Sequence, residues 1–430
     1  MEKNNAGTAR GINLSAALIE AAGLLEDVRS GISLTEALQN VPSALKPAAQ
    51  SLTFNALRNM PKLLGVLKKF IHREVDPEVE DLLLVASSTL LPLSENKYSP
   101  YTLVNETVNA ASRSEKTKFA KGMVNAVLRR LIENPDLMQL PIHDFVEDYP
   151  KWWIKKIKTA YPQQWKEILV ANQMHPPQYL RVNKRQFSRD EYAELLAQKE
   201  IHVREIPDSI LKLAPEGIYL DKPVSVNILP GFNEGSVSIQ DLGAQMAAHI
   251  LAPKDGERVL DACAAPGGKT CHLLELADVS LQAFDIEPSR TLRIQENLDR
   301  LKLSAKVSQG NATTTKGWWD GQHFDAIIAD VPCSASGIVR RHPDILYLRR
   351  PEDIDNLVKL QRNIATNLWS VLKPGGRLLY VTCSIFPEEG ENQALWFLEK
   401  NKDAVRLPSL GQLLPCEWHD GFFFALFRKT

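Results

Sequence analysis

The amino-acid sequence predicts an α/β protein. An open, mostly parallel sheet is expected in the C-terminal half, a small α+β connector before it and an all-helical module at the N-terminus. Three observations carry that prediction. The first is the stretch from Glu257 to Leu276. A short apolar run, Glu257-Arg258-Val259-Leu260, leads into Asp261-Ala262-Cys263-Ala264-Ala265-Pro266-Gly267-Gly268-Lys269-Thr270, and Cys271-His272-Leu273-Leu274-Glu275-Leu276 follows with helical spacing. Strand, glycine turn and helix in that order open a ligand-binding α/β sheet. The second is the alternation of apolar runs with helical periods from about 236 onward. The third is the texture before about 140, where helical periods and helix caps dominate.

Taken in order, residues 1–140 read as helices. The segment 12–28 is rich in Leu and Ala, Ser33 with Glu36 fits a capping box, and Asp76-Pro77 fits an N-cap followed by proline in the first turn. Residues 123–131 place apolar positions at helical spacing and end in Arg129 and Arg130, which suit a helix C-terminus. From 145 to 235 the expectation is a connector, with Pro176-Pro177 ending a helix, a strand at 179–183 and a helix at 190–198. From 236 to 430 come strands at 257–260, 280–285, 305–308, 324–330, 377–382 and 421–427, with helices at 288–301, 354–372 and 388–399 between them. The run 324–330 is almost continuously apolar, as a strand buried on both faces should be. Lys373-Pro374-Gly375-Gly376 reads as the stop between helix and strand.

Composition bounds the function. Net charge is −1, and 44% of residues are hydrophobic, enough for a sizeable core. The five cysteines form no C-x-x-C pair, which argues against a cysteine zinc site or a disulfide framework and for free thiols in a reducing cytoplasm. Met1-Glu2-Lys3-Asn4-Asn5 lacks a signal pattern, and the apolar run 82–93 is shorter than the about 20 residues a bilayer requires. Charge is nevertheless uneven. Arg113, Lys116, Lys118, Lys121, Arg129 and Arg130 face one acid, Glu115. Between Lys151 and Lys166 lysines interleave with Trp152, Trp153, Tyr161 and Trp165 and no acid intervenes. Such patches neutralise phosphates and stack on unpaired bases, although a solvated helix face over core tryptophans fits either one equally well.

The glycine turn admits several ligands. A P-loop needs a glycine where Cys263 stands, and a dinucleotide fingerprint needs a G-x-G-x-x-G that is missing. S-adenosylmethionine remains, with Gly267 and Gly268 admitting close backbone approach and Asp285, at the end of the next strand, placed to accept from ribose hydroxyls. A turn with no ligand is the plain alternative. Two cysteines also fall at strand ends, in Asp330-Val331-Pro332-Cys333-Ser334 and Thr382-Cys383-Ser384. A buried cysteine is ordinarily inert filler, but two at ligand-side strand ends suggest covalent chemistry. A thiolate adding to carbon 6 of a pyrimidine turns carbon 5 into a nucleophile for a sulfonium methyl, and an acid near nitrogen 3, such as Asp330, stabilises the adduct.

With those residues in view, the motifs 261–270, 330–334 and 382–384 resemble the RNA cytosine-C5 methyltransferases of the Nop2/Sun (Fmu) family. Residues 337–344 and Gln240-Asp241 with Gln245 are similar to further family segments, and 100–108 with 122–131 resemble a NusB-like RNA-binding domain. The resemblance implies a Rossmann-like catalytic domain at 236–430, the α+β connector at 145–235 and a NusB-like module at 1–140. It implies Cys383 as nucleophile and Cys333 as the cysteine that assists adduct breakdown. The DNA enzymes use the other cysteine, so chemistry alone leaves that choice open. It implies S-adenosylmethionine contacts at Cys263, Ala264, Ala265, Pro266, Gly267, Gly268, Lys269, Asp285, Asn311 and Asp330, with no metal. Asn311 stands where the family usually has Asp, and its amide oxygen is expected to accept from the adenine amine. Arg340, Arg341 and His342 are expected to hold RNA phosphate, or else to form a solvated basic loop. The expected substrate is a cytosine of 16S ribosomal RNA, handled by a monomeric cytoplasmic chain without membrane contact. A transfer RNA or another ribosomal cytosine, or a non-catalytic RNA-binding role, are the alternatives.

Overall fold

A computed structural model describes residues 13–92, 94 and 97–430. The N-terminal five residues, Ile12 and Leu93, on which parts of the expectations above fall, lie outside the described residues. The chain divides into two compact units, one of residues 1–175 with 339–349 and one of residues 176–338 with 350–430.

The first unit is helical. Its long helices are Leu14–Arg29, Lys46–Leu67, Pro77–Ser88, Pro100–Arg113 and Lys121–Glu133, followed by Lys151–Ala160 and Trp165–Gln173. The first five turn apolar faces inward, and Leu18, Leu25, Leu52, Leu57, Leu83 and Leu128 are fully buried in one core. The Asn13 side chain caps the first helix by accepting from Ala16 N at 3.2 Å. Ser33 accepts from Glu36 N at 3.3 Å, but the helix it starts is a single turn, Leu34–Ala37. Pro77 occupies the first helical position after Asp76, as expected.

The segment 339–349 joins this helical core although it follows the Pro-Cys motif in sequence. Arg340 O accepts from Arg58 Nε at 2.7 Å, Asp344 Oδ2 accepts from Leu34 N at 3.1 Å, and Tyr347 donates its hydroxyl to Leu57 O at 3.0 Å. Tyr347 and Leu348 pack against the helical core.

The second unit holds two sheets. Strands β1 (Tyr179–Val182), β2 (Val203–Arg204), β3 (Gly217–Leu220) and β4 (Val237–Ile239) pair antiparallel in the order β2-β3-β1-β4. A helix, Arg189–Gln198, opens on a true capping box between Ser188 and Glu191. The larger sheet is built of β5 (Arg258–Ala262), β6 (Ser280–Asp285), β7 (Lys306–Gln309), β8 (Phe324–Asp330), β9 (Leu372–Thr382), β10 (Ala404–Leu413) and β11 (Phe422–Lys429). Its order is β10-β11-β9-β8-β5-β6-β7, parallel from β9 to β7 and antiparallel at β9–β11 and β11–β10. The chain runs from β5 outward through β6 and β7, then returns to β8 and runs outward the other way. The switch between β5 and β8 opens a crevice at their carboxyl ends.

Two expectations need correction here. Lys373-Pro374-Gly375-Gly376 does not separate helix from strand. It lies inside β9, where the pairing jumps from Phe324–Leu372 to Ala326–Arg377, and Gly375 supplies φ +79° within that bulge. Strand β10 was not expected at all. It is a half-buried edge strand carrying Pro408 and Gly411, with its own register shift between Leu407 and Gly411. Among the described residues no helix is long and apolar enough to cross a membrane.

Candidate active site

The crevice between β5 and β8 collects the expected residues of the second unit. Asp261, near the end of β5, is completely buried and accepts from Thr270 Oγ1 at 2.6 Å. Burial pushes its carboxyl up to about 7, and its Oδ1 is a buried acceptor without a partner. The loop that follows is left-handed at Cys263 (φ +61°) and Gly267 (φ +98°), and Gly267 N closes it on Ala264 O at 2.7 Å. A Cβ at Gly267 would lie 3.1 Å from Ile294 Cα, so backbone shape and a neighbouring helix already demand glycine here. Gly268 has no positive φ and would bring a Cβ no nearer than 3.4 Å to the Gln240 side chain. Burial, then the Asp285 and Asp330 charges, push the Cys263 thiol far up, which leaves it neutral.

Helix Gly268–Leu276 carries Lys269, whose Nζ lies 2.6 Å from Asp330 Oδ2 at the end of β8. Burial alone would lower this ammonium, but Asp330, and after it Asp261 and Cys383, outweigh burial and hold it raised. Asp285 ends β6 with 2% exposure, and its Oδ2 accepts from Ala265 N at 3.2 Å. It therefore shapes the loop as well as facing the crevice end. Ala264 is buried and Ala265 half-buried, and Pro266 O accepts from Asn297 Nδ2 at 2.9 Å. Asn311 is engaged locally. Its side-chain oxygen already accepts from Thr313 N at 2.9 Å and Thr313 Oγ1 at 2.8 Å, so it closes its own turn instead of presenting a vacant acceptor.

The two cysteines meet. Cys333, past the end of β8, and Cys383, past the end of the adjacent β9, are half-buried free thiols with sulfurs 3.5 Å apart. The bond to Cys383, and then burial, push the Cys333 thiol well above its ordinary value.

Beneath the thiols lies a group that the sequence reading missed. Glu389, with no exposure, accepts from Ser334 N at 2.8 Å and Gln361 Nε2 at 3.1 Å on one oxygen. Its other oxygen accepts from Ser334 Oγ at 2.5 Å and Ser384 Oγ at 2.7 Å. One carboxylate thus bolts the Pro-Cys loop to the Thr-Cys loop, helped by Gly337 N donating to Cys383 O at 2.9 Å. The only local signal was Pro387-Glu388-Glu389-Gly390, which reads as a solvated helix start.

The residues expected to bind RNA fall in the helical unit. Arg340 is wholly buried, Arg341 half-buried and His342 half-buried, so of the three Arg340 is not open to an RNA phosphate at the surface. The lysine–tryptophan stretch is partly core: Trp153 is fully buried, and Lys158 Nζ already covers the Trp165 ring at 4.4 Å.

Known proteins share this organisation. Residues 248–428 match the family model for 16S rRNA methyltransferase RsmB/F, residues 149–227 the ferredoxin-like domain of RsmF/B-like methyltransferases, and residues 18–133 the NusB family. Ribosomal RNA small subunit methyltransferase B of Proteus mirabilis is 38% identical over 96% of this chain and 98% of that protein. The protein of that name in Pasteurella multocida is 39% identical over 97% of this chain and 96% of its own. Among solved structures, a methyltransferase homolog protein from Pyrococcus horikoshii is 30% identical, covering 66% of this chain and 96% of that one at a TM-score of 0.57. Relatives this similar, aligned end to end, place the chain in the RsmB/F family of ribosomal RNA methyltransferases.

Proposed function

We propose that this chain transfers a methyl group from S-adenosylmethionine to carbon 5 of a cytosine in 16S ribosomal RNA, through a transient bond from the Cys383 sulfur to carbon 6. The observation that carries this reading is the pair of sulfurs 3.5 Å apart at the ends of adjacent parallel strands, beside the Lys269–Asp330 pair. The 16S target follows the names of the relatives.

The crevice suits the cofactor. S-adenosylmethionine offers an ammonium, a ribose diol and an exocyclic amine, all hydrogen-bond donors. Asp330, Asp261 and Asp285 end the neighbouring strands β8, β5 and β6, and Asp261 Oδ1 is an acceptor awaiting a donor. The loop from Cys263 to Lys269 would hold the group, which when bound supplies an electrophilic methyl. The protein's own groups do the rest. Cys383 adds to carbon 6, which makes carbon 5 nucleophilic. Asp330, held in place by Lys269, is the acid we assign to nitrogen 3 of the ring. Cys333, in contact with Cys383, is positioned to assist breakdown of the adduct, in which the carbon 5 proton leaves and the electrons of that bond expel the Cys383 sulfur from carbon 6. The target base must leave its stack to reach this edge. Around that centre we assign a NusB-like RNA-binding module to 1–140, a connector to 145–235 and the catalytic domain to 236–430, with the Lys151–Lys166 stretch, Arg341 and His342 offered to RNA phosphate.

Methyl-labelled S-adenosylmethionine and bare 16S RNA test the reading. Wild-type protein should transfer label to cytosine carbon 5, and Cys383→Ala should abolish transfer. Cys333→Ala should leave a covalent protein–RNA adduct that survives a denaturing gel. Exchanged phenotypes would overturn the cysteine assignment. Absence of transfer by folded wild-type protein on any 16S RNA or assembling subunit would favour a binding protein that retained the fold.

A further inference from the structure

The helix that begins at the glycine turn has a second polar feature, on a face the methyl-transfer chemistry does not use. His272 lies in helix Gly268–Leu276 and is 1% exposed. Both of its ring nitrogens are buried without a hydrogen-bond partner. Buried imidazoles are almost always satisfied, so this one calls for an explanation. Its Nε2 points at Glu216 Oε2, 3.6 Å away, beyond hydrogen-bond reach. The same carboxylate oxygen lies 2.7 Å from His249 Nε2, and the two imidazole rings stand edge to face with centroids 5.2 Å apart. One donor atom from each of the three side chains falls within 4.8 Å of the others.

The three residues come from three elements of one compact unit. Glu216 immediately precedes β3, His249 is in the last turn of helix Leu242–Leu251, and His272 is in helix Gly268–Leu276. Burial, and after it the charge of Arg181, push His272 down to about 3, so it is neutral and carries a free lone pair. Burial alone would raise Glu216, but its 2.7 Å bond with His249 works against burial and favours the carboxylate. Arg181, the nearby cation, is itself neutralised by Glu275 through bonds of 2.7 and 2.9 Å. Neutral imidazole and ionised carboxylate are the metal-binding forms of both groups.

We propose that Glu216, His249 and His272 form a binding site for a divalent transition-metal ion of the zinc class. Two nitrogens and one oxygen suit Zn²⁺ far better than Mg²⁺ or Ca²⁺, which favour all-oxygen shells. The side chain of His249 is 27% exposed, which gives water or a solvent ligand access to a fourth position. The ion would clamp the helix that carries Lys269 to helix Leu242–Leu251 and to the connector sheet, and would satisfy the orphaned imidazole. Chain spacing conceals the site, because the three residues are far apart in sequence and none is cysteine. This inference does not depend on the methyl-transfer reading.

The test uses the full chain, stripped with a chelator, in a Cys333→Ser/Cys383→Ser background so that the facing thiols cannot hold the metal. Zn²⁺ alone is titrated in competition with a chromogenic chelator, and Co²⁺ is added separately as a spectroscopic probe. One equivalent should bind and raise the melting temperature, and Co²⁺ should show visible d–d bands without thiolate charge transfer. His249→Ala and Glu216→Gln should each weaken binding by at least about ten-fold, as loss of a metal ligand does. Both side chains reach the surface in part, so circular dichroism should show these variants folded where His272→Asn can fail. Failure of the background protein to bind one saturating equivalent would overturn the site. So would unchanged affinity in the folded His249→Ala and Glu216→Gln proteins.

Discussion

Gly267 and Gly268 are neighbours in sequence and opposites in demand. A side chain at Gly267 must adopt φ +98° and press on the Ile294 backbone, whereas one at Gly268 meets only a flexible glutamine. Gly267→Ala should therefore cost about 2 kcal/mol of stability, and Gly268→Ala should stay within about 0.5 kcal/mol, as read from urea midpoints. Asp261 makes a prediction in pH. Its carboxyl titrates at about 7 in the fold against about 3.9 in an unfolded chain. The native state then holds the extra proton between those values, so the contribution is full at low pH and is lost as pH rises toward 7. With no cofactor added, wild type should lose on the order of 4 kcal/mol from this group across that window. Asp261→Asn, which can still accept from Thr270, should lack that slope when urea unfolding is compared at about pH 5 and about pH 8. Residue identity in the motifs was readable because each motif is local: Asp330, Cys333 and Cys383 stand at strand ends as the sequence implies. What each side chain touches was not readable, and Asn311 and Arg340 show why. One is occupied by a turn two residues away, and the other is buried in the helical unit.

At the scale of elements, the distance between the thiols is set by two loops that hang from β8 and β9 and share Glu389. The carboxylate accepts four bonds in a place with no water access, so nothing replaces it when it is cut. Glu389→Ala should destabilise the protein by about 3 kcal/mol. The milder Glu389→Gln can keep part of the network while disturbing the loops. If the proposed cysteine chemistry holds, it should lower kcat for methyl transfer more than it raises KM for RNA, since it moves the paired sulfurs. Steady-state kinetics on 16S RNA would check this. Strand β8 was legible because burial on both faces leaves a nearly continuous apolar run. Strand β10 was hidden by its position at the sheet edge, where half-exposed residues, Pro408 and Gly411 imitate a loop. The link through Glu389 was hidden for another reason. It depends on which strands become neighbours, and the β8–β9 pairing joins residues about 50 positions apart.

At the scale of the whole molecule, the catalytic half does not own all of its chain. Residues 339–349, a few positions after Cys333, complete the helical unit through Arg58, Leu34 and Leu57. A fragment of residues 176–430 should therefore expose Leu346, Tyr347 and Leu348, bind a hydrophobic dye, and show faster amide exchange at 333–338 than the full chain does. Equal protection of 333–338 in both proteins would refute this. The same excursion dictates an order of events during synthesis. The N-terminal unit emerges first from the ribosome, yet its last tenant is translated only after residues 176–338. At ordinary elongation rates that delay is on the order of ten seconds. Through that interval the nascent helices must wait with a berth vacant, and the thread that finally fills it arrives tied to Cys333.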